Sequence, residues 1–173
     1  MPPAPVSKHL KEERMQPARQ KEDIQEKLAT GQITIAEAVG ISRKQLYLIA
    51  EEGYKLLMQG RLEEARQIYA GLVAASPFDS VFHCHLGAVL WRMGDLEKAL
   101  EEYDASLQFN IANVDALAGR GELLLLKGEI RKGLEDLRKA LETDPKLTRP
   151  STVRARALVL SIHQAAQQNQ AEK

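Results

Sequence analysis

Glycine returns in this chain with a fixed period. Gly53, Gly87 and Gly121 lie 34 residues apart, and so do Gly60, Gly94 and Gly128. Five residues beyond the second glycine of each unit stand Ala65, Ala99 and Gly133, and four further on come Tyr69, Tyr103 and Leu137. Pro77 and Pro145 close the first and third units, with Ile111 at the middle one. Several positions recurring at one period without a gap describe one supersecondary unit copied three times, over residues 46–79, 80–113 and 114–147. Such a unit cannot bury its apolar face alone, so the copies must stack, each touching its neighbours.

The register resembles the tetratricopeptide repeat, a pair of helices A and B. That resemblance implies an all-α, right-handed solenoid of three helix pairs with N-terminal helices before it and a capping helix after it. Each recurring position has a physical cause. The first glycine lies inside helix A, where a side chain would hold off the neighbouring helix; it costs about 1 kcal/mol of helix propensity that close packing must offset. The second glycine ends helix A in a left-handed conformation. The small residue early in helix B lets B lie close to A, and the tyrosines fill the space between repeats. The motif's early aromatic in helix A is missing, with His83 and Leu117 in its place in units two and three. The last repeat exposes an apolar face and needs a cap. "PSTVRARALVLSIHQAAQQ" supplies one, opened by Pro150 and Ser151 or Thr152, with Ala155, Leu158, Val159, Ile162 and Ala166 on one helical face. The organisation expected is a mobile polar tail at 1–20, an N-terminal helical segment at 21–42, repeats at 43–147, a capping helix at 148–168 and a tail at 169–173.

Locally, "IAEAVGISRKQLYLIA" at 35–50 has the spacing of a helix-turn-helix, with Ser42 capping a helix that opens on Arg43 and Lys44. Two observations turn the reading away from DNA. The second helix continues through "EEGYKLLMQ" to Gly60 as helix A of the first repeat, and Glu51 and Glu52, which phosphate would repel, follow the basic pair. The whole chain carries 24 Lys plus Arg against 24 Asp plus Glu, so it lacks the basic surplus that phosphate binding draws on. Arg149, Arg154 and Arg156 make the C-terminal helix mildly basic, read as a solvated face. Cys84 is the only cysteine, the N-terminus has no signal-like apolar run, and the longest apolar run, "LLLL" at 123–126, is too short to span a bilayer. A cytoplasmic protein without membrane insertion is expected.

Three stretches imitate chemistry. "HCH" at 83–85 suggests a metal, but adjacent helical residues diverge by about 100° and Gly87, Ala88 and Val89 occupy the i+4 places. "GRGELLLLKGE" at 119–129 lacks both the Gly-Lys-Ser/Thr ending of a phosphate loop and the third glycine of a dinucleotide fingerprint. Acidic pairs such as Glu63–Glu64 and Glu101–Glu102 read as solvated faces of B helices. No catalytic residue, cofactor or metal site is expected.

The repeat resemblance also implies a concave face lined by the A helices, at the second, fifth, ninth and twelfth positions of each unit. These are Tyr47, Ala50, Tyr54 and Leu57, then Val81, Cys84, Ala88 and Trp91, then Asp115, Ala118, Glu122 and Leu125. Tyr47, Ala50, Tyr54, Leu57, Val81, Cys84, Ala88, Trp91, Ala118 and Glu122 are the expected binding groove. Small residues would make its pockets and aromatics its walls, a surface suited to an extended peptide with apolar anchors. The Lys, Arg and Asn set of a carboxylate clamp is absent from these positions; Arg92 and Asn113 do not make one.

A narrower resemblance rests on Gly31, Thr34, Ile41–Ser42, Leu46, Ile49, Tyr54 and Gly60, extended by "GRLEEA" at 60–65 and "SPFDSVFHCHLGA" at 76–88. Over about residues 22–165 the chain resembles the class II chaperones of type III secretion, which hold hydrophobic translocator proteins before export. Ala50 and Leu57 stand where family members usually carry aromatics, so this groove is less aromatic. The resemblance implies a chaperone that keeps an extended segment of a secreted, translocator-like protein soluble, and homodimerisation through the N-terminal helix "EDIQEKLATG". The other readings are an N-terminal cap in place of a dimer contact, a generic repeat scaffold in a larger assembly, and a helix-turn-helix regulator with a solenoid sensor.

Overall fold

The computed structural model describes residues 22–171. The tail expected at 1–20 lies outside the described residues, as do residues 172 and 173 of the tail expected at 169–173. Every regular element among the described residues is a helix: α1 (22–29), α2 (Ile35–Ala38), α3 (Arg43–Met58), α4 (Leu62–Ala75), α5 (Ser80–Met93), α6 (Leu96–Phe109), α7 (Val114–Leu126), α8 (Ile130–Thr143) and α9 (Pro150–Ala171).

Local chemistry sets the helix ends. Thr34 and Ser42 form capping boxes with Glu37 and Gln45, each pair satisfying two backbone donors that a helix start leaves open. Asp79, Asp95 and Asn113 cap α5, α6 and α7. Gly60, Gly94 and Gly128 follow the A helices with φ of 78°, 88° and 80°, the left-handed turn in which glycine has no steric penalty.

The helices pair as α3–α4, α5–α6 and α7–α8, and each pair packs on the next, with α9 covering α8 and part of α7. The periodic residues meet at these contacts. A Cβ on Gly53 would fall 2.9 Å from Ile68 and 3.0 Å from the Tyr69 ring, and one on Gly87 3.1 Å from the Tyr103 ring. Ala65, Tyr69, Ala99 and Leu137 are fully buried, and the Tyr69 hydroxyl donates to the Ala50 carbonyl at 2.8 Å.

Polar joints fix one repeat to the next. Asn113 caps α7 through its carbonyl oxygen and donates through its amide to Ser80 Oγ at 2.8 Å, while Ser106 donates to the Ser80 carbonyl. Asn113 is thus consumed inside the fold. His83 is clasped between two acceptors, Glu102 at 2.7 Å from Nδ1 and the Pro77 carbonyl at 2.9 Å from Nε2. Two acceptors facing one imidazole require both nitrogens to donate. Burial opposes that charge, but the bonds to Glu102 and Pro77 outweigh it and raise the His83 pKa. Asp144 takes hydrogen bonds from Thr152, Thr148 and the Arg149 N–H, which hold it down to about 2 and fix the corner between α8 and α9.

The capping helix differs in detail from its sequence pattern. Ala155 is buried and Val159 packs on the core, but Leu158 is 36% exposed and Ala166 is exposed. α9 is a 22-residue helix lying on the 14-residue α8, so its C-terminal turns run past the surface they were expected to cover.

Candidate functional site

The A helices α3, α5 and α7 place one row of side chains along a groove. Its first part is a cavity of about 460 Å³ lined by Tyr47, Ala50, Tyr54, Tyr69, Val81 and His85, with Glu51 and Lys55 at its edge. Its second part, about 640 Å³, is lined by Tyr54, Leu57, Met58, Cys84, His85, Ala88, Trp91 and Tyr103, and beyond them by α7 and the start of α9. Tyr54 and His85 belong to both, so the two run together. Past Tyr47 and Val81 a third, more polar hollow of about 540 Å³ opens toward α2, where Arg43, Phe78, Asp79 and Phe109 stand.

Nine of the ten residues expected in the groove line these first two cavities: Tyr47, Ala50, Tyr54, Leu57, Val81, Cys84, Ala88, Trp91 and Glu122. Ala118 does not. It is fully buried, because α7 turns Asp115, Gly119 and Glu122 to the groove, at steps of four and three residues. Tyr54 is the exposed wall, 48% accessible, with Leu57 and Cys84 as a nearly closed floor at 5%. Burial pushes the Cys84 thiol pKa up, so it stays protonated and behaves as a small apolar group.

The consecutive residues His83, Cys84 and His85 go to three places. His83 joins Pro77 to Glu102, Cys84 forms the groove floor, and His85 stacks on Tyr69 at 5.1 Å and meets the Tyr54 ring edge-on at 5.9 Å. His85 is a groove residue that the repeat positions did not mark. Arg92 reaches from α5 to the Leu57 carbonyl at the end of α3, which ties it to the wall. Arg43 lies over the Tyr47 ring at 5.4 Å and reaches Asp79 at 3.5 Å, so the helix start that imitates a DNA reader is turned to its own solenoid.

The far wall adds to the sequence reading. Arg149 pairs with Asp115, Ser151 donates to Asp115, and Arg154 lies 3.3 Å from Glu122. The two arginines, more than half exposed as a solvated face would have them, also border the groove. Burial raises the Glu122 pKa, with Arg154 opposing.

Among the described residues no helix is long and apolar enough to cross a membrane. The family model described as "Tetratricopeptide repeat" matches residues 84–148. Tetratricopeptide repeat protein 14 of Mus musculus is 37% identical over 60 residues, 35% of this chain and 8% of that protein. DnaJ homolog subfamily C member 3 of Homo sapiens is 28% identical over 95 residues, 55% of this chain and 19% of that protein. The chain thus spans less than a fifth of the length of either curated relative. Among solved structures, the type III secretion translocator chaperone SycD of Yersinia enterocolitica superposes with a TM-score of 0.65 at 24% identity, covering 75% of this chain and 98% of that one. A type III secretion complex from Aeromonas hydrophila gives 0.70 at 19% identity, covering 84% and 98%. SycD in complex with a peptide of the translocator YopD gives 0.62 at 24% identity, covering 75% and 98%. The chain has the all-α tetratricopeptide-repeat solenoid fold, which SycD also has.

Proposed function

We propose that this chain is a non-enzymatic, peptide-binding chaperone that holds an extended segment of a hydrophobic secreted protein in its concave groove. The observation that carries the reading is the groove itself: Tyr54, Leu57, Cys84, Ala88 and Trp91 form an apolar trough on one face of the solenoid. Open apolar concavities of this size mark interaction sites. The Yersinia structure supports the secretory partner, since a protein of this fold is found there in complex with a peptide of a translocator. Groove binding of this kind corresponds to micromolar affinity, about −8 kcal/mol, concentrated in a few anchors.

Ala88→Arg tests it. The residue is only partly buried and lines the groove, so arginine fills the trough without entering the core. Binding to an apolar segment should fall by about 100-fold or more while the melting temperature holds; unchanged binding would dispose of the reading.

Self-association is the second part of the proposal. Ile24, Ile35 and Val39 are exposed at the N-terminal end, Val39 to 64%, an apolar surface suited to a second copy. Sedimentation should give a dimer for the intact chain and a monomer for a chain starting at Thr30. A dimer in both places the contact elsewhere.

A further inference from the structure

The groove is not uniformly apolar, and the repeat shows where it departs. In the first repeat the Tyr69 hydroxyl donates to the Ala50 carbonyl, and His85 of the next repeat covers the ring. One period later Tyr103 matches Tyr69, Cys84 matches Ala50, and Gly119 matches His85. The hydroxyl of Tyr103 has no hydrogen-bond partner among the described residues. Every fully enclosed side-chain nitrogen or oxygen among them has one, so this hydroxyl reaches the groove, although Tyr103 is only 2% exposed. Gly119 is the reason: a Cβ there would lie 2.6 Å from that oxygen, in the space now open beside it.

Glu122, one turn beyond Gly119 on the same face, stands where the second repeat has Ala88. Its side chain is 12% exposed. One carboxylate oxygen meets Arg154 at 3.3 Å, and the other has no partner among the described residues. A free donor and a free acceptor thus share a largely apolar trough. An extended chain presents on one edge the N–H and C=O of the same residue, pointing to the same side, the pair that antiparallel strands exchange. In a site shielded from water, each such bond left unmade is costly and each one made is selective.

We infer that Tyr103 and Glu122 form a main-chain clamp: the Tyr103 hydroxyl donates to a carbonyl of the bound segment, and the Glu122 carboxylate accepts the N–H of the same residue. The clamp rests on the peptide-binding reading above and adds to it. Apolar anchors set which side chains enter the groove, while the clamp demands an extended backbone and fixes its register.

The test starts from a phage-displayed library of random 12-residue peptides selected on the full chain. The tightest peptide is made synthetically, together with analogues in which each backbone amide in turn becomes an ester, which removes one N–H. On the unaltered protein, one ester position should lose about tenfold or more in affinity, because a charged acceptor loses its donor. Against Glu122→Leu that position should lose nothing further, while Glu122→Gln, which keeps an acceptor, should still sense it. Tyr103→Phe should weaken the parent peptide by about 3- to 10-fold with the melting temperature held. Should no ester position stand out on the unaltered protein, or should Tyr103→Phe bind within twofold of it, the clamp is wrong. The groove reading then survives if Ala88→Arg abolishes binding of the same peptide. If no peptide is selected, or Ala88→Arg leaves binding intact, both fall.

Discussion

Arg120→Met is expected to destabilise the fold by about 3–5 kcal/mol. Arg120 on α7 holds Asp136 of α8 with two parallel bonds, Nε to Oδ2 at 2.6 Å and Nη2 to Oδ1 at 2.9 Å, and reaches Asp104 of α6 with Nη1 at 2.6 Å. One guanidinium joins three helices from two repeats. Asp136 is only 4% exposed, so removing its partner leaves a charge that water cannot reach. The bond to Asp136 holds the Arg120 pKa well above its usual value, so the guanidinium stays charged. The exposed pairs Lys98–Asp95 and Lys139–Glu135 look similar on paper, but water and salt screen them and they add little. Lysine at 120 does not replace the fork, since it offers a point charge to a bidentate site. Urea unfolding measures the loss. Adding Asp136→Leu to Arg120→Met should recover most of it, because the isolated buried charge is what costs. A loss under 1 kcal/mol for the single variant would mean that water reaches Asp136.

What the sequence disclosed and what it hid divide along the repeat. Gly53, Gly87, Tyr69 and Tyr103 are demanded by contacts, and Gly60 and Gly94 by a left-handed turn, each made once per unit, so their causes recur at the period and can be read by counting. The groove in units one and two was legible for the same reason. The third unit was read one residue out of step at Ala118, because its groove row runs through Gly119, one period after His85, an offset that the repeat positions taken for the groove left out. The wall built by α9 was hidden for another reason. Arg149 and Arg154 lie outside the repeats, and their partners Asp115 and Glu122 are 34 and 32 residues earlier in sequence. The hint was present in two carboxylates at groove-facing positions of an otherwise apolar row, which needed counter-charges from somewhere. Arg120 with Asp136 gave no hint at all, since a buried ion pair and two solvated charges are written in the same letters.

Gly121→Val should cost about 3 kcal/mol. A Cβ at 121 would lie 2.9 Å from the Gly133 carbonyl oxygen, and a Cβ at 133 would lie 2.8 Å from the Gly121 carbonyl oxygen. The approach is reciprocal and made by backbone on both sides. Where Gly53 faces side chains of Ile68 and Tyr69 that can yield by rotamer, α7 and α8 can only move apart. Moving apart would open the contact of Gly121 with Leu137, which is fully buried. Overpacking of this kind costs about 1–3 kcal/mol and sometimes more, against at most about 1 kcal/mol recovered from helix propensity. Gly71 supplies the opposite sign. It lies in α4 with nothing within 4 Å of its would-be Cβ, so Gly71→Ala should raise stability by about 0.4–1 kcal/mol through the unfolded chain alone. Thermal and urea unfolding of the two variants beside the unaltered chain decides the matter. If Gly121→Val melts with the unaltered protein, α7 and α8 are not in backbone contact, and the reason offered for glycine at both positions of the third repeat fails.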